Sequence, residues 1–314
     1  MSIQQDRFLE KHFGIFNHYL YGMPGDDALK LAGREGYDWN EAVESVDVND
    51  LAERIHKTGA GYYCITIMQG SKYMLAPNET YDKIAGTVPG EACAKRNIIT
   101  ELADALEKYG IDLFLYYTGD GPHADQVIGK KFGYADPRGQ VTMDFVEKWA
   151  AVLEEYAVKY GRKIKGWWID GCYREYFGYT PELLKPYYDA IKKGNPDALV
   201  AMNNGIKPDY IKYYPDEDFV CGEYNDFTVL PKTRFVDGAQ THILAPLGIS
   251  GDGSEYGRWR RPGLNRDKEY MIDFVKRANE IGMPVTIDIF VNSAGKWDGE
   301  QFDCLCKIGE AVNK

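Results

Sequence analysis

The sequence lacks the signatures that mark most chemistries at sight. No G-x-G-x-x-G follows its first strand-like run and no P-loop occurs, so neither a dinucleotide nor a nucleotide phosphate has a cradle. There is no G-x-S-x-G for a serine hydrolase. The five histidines are scattered, without H-x-H or H-E-x-x-H spacing, so no metal is expected, and no cofactor motif is visible. Positive charge is in deficit. With a formal net charge of −11, neither a nucleic acid nor an anionic membrane finds a basic face. No apolar run approaches the roughly 18 residues of a membrane span. Met1–Lys11 is polar and has no apolar core of a signal peptide, although a chain trimmed of its leader would look the same. The six cysteines show no disulfide framework; Cys304 and Cys306, two apart in a helical pattern, point away from each other. Free thiols and no visible leader read as a cytoplasmic protein. A homo-oligomer is left open.

What is present is a long alternation. Eight runs read as strands: Phe13–Leu20, Gly61–Ile67, Asp112–Tyr117, Lys165–Gly171, Ala198–Met202, Asp218–Glu223, Thr241–Leu247 and Pro284–Phe290. Between most of them lie helical patterns. In Asp47–Thr58, for example, Val48, Leu51, Ala52 and Ile55 recur at helix spacing, and Gly59 stops the run. Arg96–Tyr109, Val141–Tyr160, Arg266–Ile281 and Gly299–Val312 behave alike, Pro208–Tyr213 reads as a short helix, and Met68–Ala94 as a long loop. Over 314 residues with no linker, this predicts an α/β fold: one (β/α)8 TIM barrel domain spanning residues 1–314. A doubly wound sheet competes, but wants the missing glycine-rich turn.

In such a barrel the chemistry sits where strands end. The polar residues there are His18, Gln69, Tyr116, Tyr117, Asp170, Asn203, Asn204, Glu223 and Asn292, with His242 set apart because it begins its strand. Asp170 closes the run Gly166-Trp167-Trp168-Ile169 ahead of Gly171. It reads either as a helix cap bonded to backbone amides or as a catalytic carboxylate among aromatic rings. Glu223 reads either as a salt-bridged acid or as its catalytic partner. Two carboxylates with aromatics and no cofactor motif point to glycoside hydrolysis, which in a retaining enzyme needs them roughly 5–5.5 Å apart. The 24 tyrosines and 6 tryptophans fit sugar contact but serve packing as well. His18 in an apolar strand is equally a hydrogen-bonded core residue. Arg258-Trp259-Arg260-Arg261-Pro262 reads as a solvated turn or a grip for an anionic sugar.

Five segments resemble α-L-fucosidases of glycoside hydrolase family 29. Phe13-Gly14-Ile15-Phe16-Asn17-His18-Tyr19 looks like the family's FGxFxHW opening strand. Thr58-Gly59-Ala60-Gly61-Tyr62-Tyr63 is similar to its AGAKY segment, and Arg96–Ile99 through Tyr109-Gly110 and Leu115-Tyr116-Tyr117 to its RDxV…GLYYS segment. Trp167-Trp168-Ile169-Asp170-Gly171 resembles the WxDG nucleophile strand, and Ile287–Gly299 with Ile308-Gly309-Glu310 the closing segment. The resemblance implies a retaining exo-α-glycosidase barrel with Asp170 as nucleophile, Glu223 as acid/base and Glu255 as the second choice. It puts His18 on a sugar-binding histidine and Trp168 beside an aromatic that packs on the sugar. Gln69, Tyr117, Asn203 and Trp259 complete the substrate-binding expectations, with a carbohydrate as the partner. One departure implies an alternative. Where the family carries paired histidines on fucose hydroxyls, Met68-Gln69-Gly70 stands here. Met68 cannot replace a histidine, so a barrel of diverged specificity, or one that binds carbohydrate without turnover, is the second reading. The family's C-terminal β-sandwich has no counterpart in the sequence.

Overall fold

The computed structural model describes residues 2–21, 38–134, 139–251 and 256–313; Glu255 lies outside them. The strands are β1 (Phe13–Asn17), β2 (Tyr62–Thr66), β3 (Asp112–Thr118), β4 (Ile164–Asp170), β5 (Leu199–Met202), a small antiparallel pair β6 (Phe235–Val236) and β7 (Ala239–Gln240), β8 (Ile243–Pro246) and β9 (Val285–Asp288). Seven of them form one parallel sheet in the order β5-β4-β3-β2-β1-β9-β8. Parallel strands need crossovers, and helices such as Val48–Thr58, Ile98–Glu107, Met143–Tyr160 and Pro181–Gly194 supply them. The arrangement is consistent with a (β/α)8-like barrel.

The expected sixth strand, Asp218–Glu223, is not a regular strand. It makes single parallel bridges, Phe219 with Gln240 and Glu223 with Leu244. Its backbone still reaches both sheet edges: Asp218 N–H donates to Val200 O at 2.8 Å and Tyr224 N–H to Leu244 O at 3.0 Å. The interruption is Gly222. Its φ of +58° lies in the left-handed region, and it sits so close to the His242 carbonyl that any Cβ would overlap it. Glu217 takes over ladder duty here, accepting from Met202 N–H at 3.1 Å and Tyr213 N–H at 2.6 Å. That arrangement also explains why Pro208–Tyr213 is not helical: the Tyr213 amide goes to a side chain instead of a helical carbonyl. Among the described residues, five helices were not visible as patterns: Ile3–Glu10, Trp39–Glu44, Glu79–Ala85, Gln126–Phe132 and Arg174–Phe177. Glu79–Ala85, inside the expected loop, starts at Asn78, whose side chain accepts from Tyr81 N–H. Ile3–Glu10 starts with a reciprocal Ser2–Gln5 capping box.

Side chains alternate across the sheet and divide the core in two. Tyr63, Ile65, Leu115, Tyr117, Trp167 and Ile169 pack outward against the helices. Phe16, Tyr62, Cys64, Phe114, Tyr116, Trp168 and Leu244 form a separate inner cluster, joined by Phe8 from the first helix. Among the described residues all cysteines are free, no helix is long and apolar enough to cross a membrane, and no acid, histidine or cysteine group is arranged to hold a metal.

Candidate active site

After the exposed Lys165, β4 runs apolar and buried from Gly166 to Ile169, ends in Asp170 and turns at Gly171, whose φ is +65°. Its inward positions are Gly166, Trp168 and Asp170. The Asp170 carboxylate therefore emerges at the C-terminal end of the sheet, on the inner face. Among the described residues its carboxylate accepts from side chains and from no backbone amide. Oδ2 accepts from Tyr116 OH at 2.5 Å and Gln69 Nε2 at 3.4 Å. Oδ1 accepts from Asn203 Nδ2 at 2.7 Å and Tyr173 OH at 3.1 Å. The helix that follows, Arg174–Phe177, starts at Tyr173 and not at Asp170, so the helix-cap reading fails. Burial first, and then the Asp170 charge, push the Tyr116 and Tyr173 phenols up, so both remain donors.

Glu223 faces Asp170 across the amide of Asn203. Asn203 Nδ2 donates to Glu223 Oε2 at 2.6 Å as well as to Asp170. The two acceptor oxygens are therefore no farther apart than the sum of the two bonds, about 5.3 Å. Burial first, and Asp170 second, push the Glu223 carboxyl up to about 7, against the pull of the Asn203 bond. No ion pair to Glu223 occurs among the described residues, so the salt-bridge reading also fails.

The two acids open on a cavity of about 150 Å³ lined by His18, Gln69, Tyr116, Trp168, Tyr173, Trp259 and Arg260, among others. A cavity of that order accommodates a ligand the size of one six-membered ring. Trp168 stacks on Tyr116 with ring centroids 5.6 Å apart. Across from the acids, His18 Nδ1 lies 2.7 Å from Asp288 Oδ1. Asp288, fully buried, also accepts from the Arg260 backbone amide at 3.0 Å, which pins the Trp259–Arg260 loop to the same anchor. His18 and Trp259 meet edge to face at 5.6 Å.

Of the residues expected from sequence, Asp170, Glu223, His18, Gln69, Trp168 and Trp259 come together around this cavity. Two expectations change. Tyr117 is not there: it faces the helices, stacks on Trp149 and donates to the Trp149 carbonyl at 2.9 Å. Strand alternation is the reason, because Tyr116 is paired in register with Trp168 and Tyr117 with Ile169. Asn203 stands behind the two acids and not on the cavity wall. Asn292 bonds its own turn through Ala294 and Lys296 amides. His242 lies at the opposite end of the sheet. Tyr173 and Asp288 were missed as site residues, whereas Tyr116 and Arg260 were named as candidates but left out of the substrate-binding set. Counting by twos back from Asp170, and across the register to β3, would have selected Tyr116.

A family model described as alpha-L-fucosidase matches residues 42–237, more than half of the chain. Among solved structures, a family 29 alpha-L-fucosidase from Bacteroides thetaiotaomicron is 16% identical with a TM-score of 0.66, covering 100% of this chain and 74% of that one. Alpha-L-fucosidase AlfC from Lactobacillus casei, in complex with alpha-L-fucose, is 16% identical with a TM-score of 0.65, covering 99% and 98%. An endo-fucoidan hydrolase of glycoside hydrolase family 107, MfFcnA4, is 11% identical with a TM-score of 0.72, covering 98% and 54%. At these identities the likeness is one of fold. A search of curated proteins found no match.

Proposed function

This chain belongs to the alpha-L-fucosidase family, and we propose that it is a retaining exo-α-glycosidase that works through Asp170 and Glu223 in a closed eight-membered barrel. The segment Asp218–Glu223 then takes the eighth position, between β5 and β8. One observation carries the reading: two buried-edge carboxylates whose nearest bridged oxygens are within about 5.3 Å. That limit fits the retaining separation of roughly 5–5.5 Å and falls short of the roughly 6.5–9.5 Å of inverting enzymes.

The chemistry follows from the two environments. Asp170, ringed by donors, is the anion that attacks the anomeric carbon. Glu223, held protonated near neutral pH, gives its proton to the glycosidic oxygen as that bond breaks, and the leaving group departs as an alcohol. Glu223 then takes a proton from water as that water's oxygen displaces Asp170 from the sugar, which restores both groups. His18, fixed by Asp288, and the faces of Trp168 and Trp259 hold the ring. The small cavity supports an exo mode, with one terminal sugar inside.

The test is a panel of 4-nitrophenyl glycosides that includes α-L-fucoside, α- and β-galactoside and arabinoside. One α-glycoside is expected to turn over, and Asp170→Ala to abolish this, with added azide restoring part of it. Unchanged turnover in Asp170→Ala refutes the assignment. A second reading, carbohydrate binding without turnover, draws on Gln69. Its amide is committed to Tyr116 OH at 2.8 Å and to Asp170, which leaves it less free for a sugar hydroxyl. Calorimetric sugar binding with no hydrolysis across the panel favours that reading.

A further inference from the structure

Asp170 accepts from four side chains, and a carboxylate has about four lone-pair sites. The nucleophile of the proposed reaction is thus saturated by protein donors. Three of the four serve Asp170 without touching Glu223. Asn203 alone bonds both acids.

Its geometry is over-determined. The Asn203 backbone amide donates to Ile169 O at 2.7 Å, which ties it to the strand residue just before Asp170. Its side-chain oxygen accepts from Gly205 N–H at 2.9 Å. With the oxygen committed there, the NH2 group must face the acids, and its two hydrogens point at Asp170 and Glu223. The residue is only 1% exposed, so water does not compete.

We propose that Asn203 is a positioning residue that couples the nucleophile to the acid/base: one amide group holds both carboxylates in register and steadies the charged form of each. The inference rests on the roles given to Asp170 and Glu223 above. Family resemblance contributes nothing to it; the bridging contacts do. The physical consequence has a definite sign. A hydrogen bond to a carboxylate favours ionisation, so the loss of Asn203 raises the proton affinity of Glu223. In activity, the basic limb set by Glu223 moves to higher pH.

The other titratable groups near the pair do not mimic this. Tyr116, Tyr173, Cys172 and Cys221 are all pushed up by burial and stay neutral through the working range. The charged or chargeable groups that remain are Asp120 beyond β3, Glu217 before the Glu223 segment, and His18 and Arg260 across the cavity. None of them contacts Asn203, and its removal leaves them in place.

The experiment is a carboxyl-carbon NMR titration of the full chain, wild type against Asn203→Ala, with Asp170→Asn and Glu223→Gln to assign the signals. The Glu223 transition is expected to rise by about one pH unit, the size of a lost hydrogen bond to a charged group. Asn203→Ser, smaller but still polar, moves it the same way and replaces the alanine variant where that one fails to fold. A Glu223 transition that stays in place or falls overturns the proposal. Because this readout needs no turnover, an inactive wild type would sink the proposed hydrolysis and leave the coupling to be judged separately. Where 4-nitrophenyl glycoside turnover is present, a profile that drops in height with its basic limb fixed marks Asn203 as merely structural.

Discussion

The inner face of the sheet ends in two different ways, although the same strands build both ends. At the N-terminal end, Phe8 closes the interior against Tyr62, Phe114 and Phe219, with ring centroids 5.1–5.4 Å away. At the C-terminal end, two strand positions farther on, stand His18, Tyr116, Trp168 and Asp170. Each end holds a histidine, His242 buried and His18 half-buried, and the partners decide what it is. His242 has its Nδ1 2.9 Å from the Cys221 carbonyl and its Nε2 2.6 Å from Thr286 Oγ1, a neutral set. His18 has a buried carboxylate. Burial alone therefore marks neither end as chemical; the charge that burial leaves facing a cavity does.

The sharpest way to break this contrast is to remove the acid at the polar end. Glu223→Gln is expected to lower kcat on a glycoside with a poor leaving group about 10²–10⁴-fold, and less on an activated aryl glycoside. In the wild type, activity falls as pH rises through about 7, where Glu223 loses its proton. That basic limb disappears in the variant, and a pH–rate profile on both substrates checks it. The apolar end answers in a different quantity. Phe8→Ala empties the plug and costs about 3–5 kcal/mol of unfolding free energy, read from urea midpoints, with the pH limbs unmoved.

His242 gives the next effect, and its sign can be worked out. Burial depresses its pKa from 6.5 to about 4. An unfolded imidazole takes up a proton as pH falls below 6.5, whereas the native one resists until about 4. The stabilisation is therefore fully present above pH 6.5 and is lost as pH falls through that window, on the order of 3 kcal/mol in all. Urea midpoints at pH 7.5 and 4.5 are expected to differ more in the wild type than in His242→Gln. A similar slope in both places the acid sensitivity elsewhere.

The polar end was the more legible of the two. Strand periodicity with an acid at the tip singles out Asp170, and the run Asp218–Glu223 brings Glu223 to the same rim. What the pattern could not supply was inward or outward direction at a doubled aromatic. Tyr116 and Tyr117 have the same composition, and only the pairing of β3 with β4 separates them. Nor could it show that the sixth strand breaks at Gly222, because a left-handed glycine and a strand glycine read alike. The apolar end was nearly invisible. Phe8 belongs to a helix too short and polar to show a stripe, and its place under the sheet depends on Gln5 Nε2 donating to the Asp218 and Gly238 carbonyls, more than 200 residues away.

The smallest expected effect tests how far the two ends are mechanically separate. Gly14 on β1 and Gly166 on β4 leave room for the Tyr62 and Phe114 rings, which lie where their Cβ atoms would be. Gly14→Ala must therefore displace the Tyr62 ring, whose hydroxyl is held 2.7 Å from Thr286 Oγ1 and cannot swing freely. Overpacking of this kind costs about 1–3 kcal/mol. Combining it with Tyr62→Leu, which removes the obstructing ring, is expected to cost less than the two changes added, by more than about 0.5 kcal/mol, since the residues touch. Gly14 lies one inward position, two residues, before Phe16 and four residues before His18. A rigid layer at Phe16 would absorb the displacement, leaving KM for the sugar unchanged while the urea midpoint drops. A rise in KM instead would mean that β1 carries the strain up to His18, and that the plug sets the geometry of the cavity it underlies.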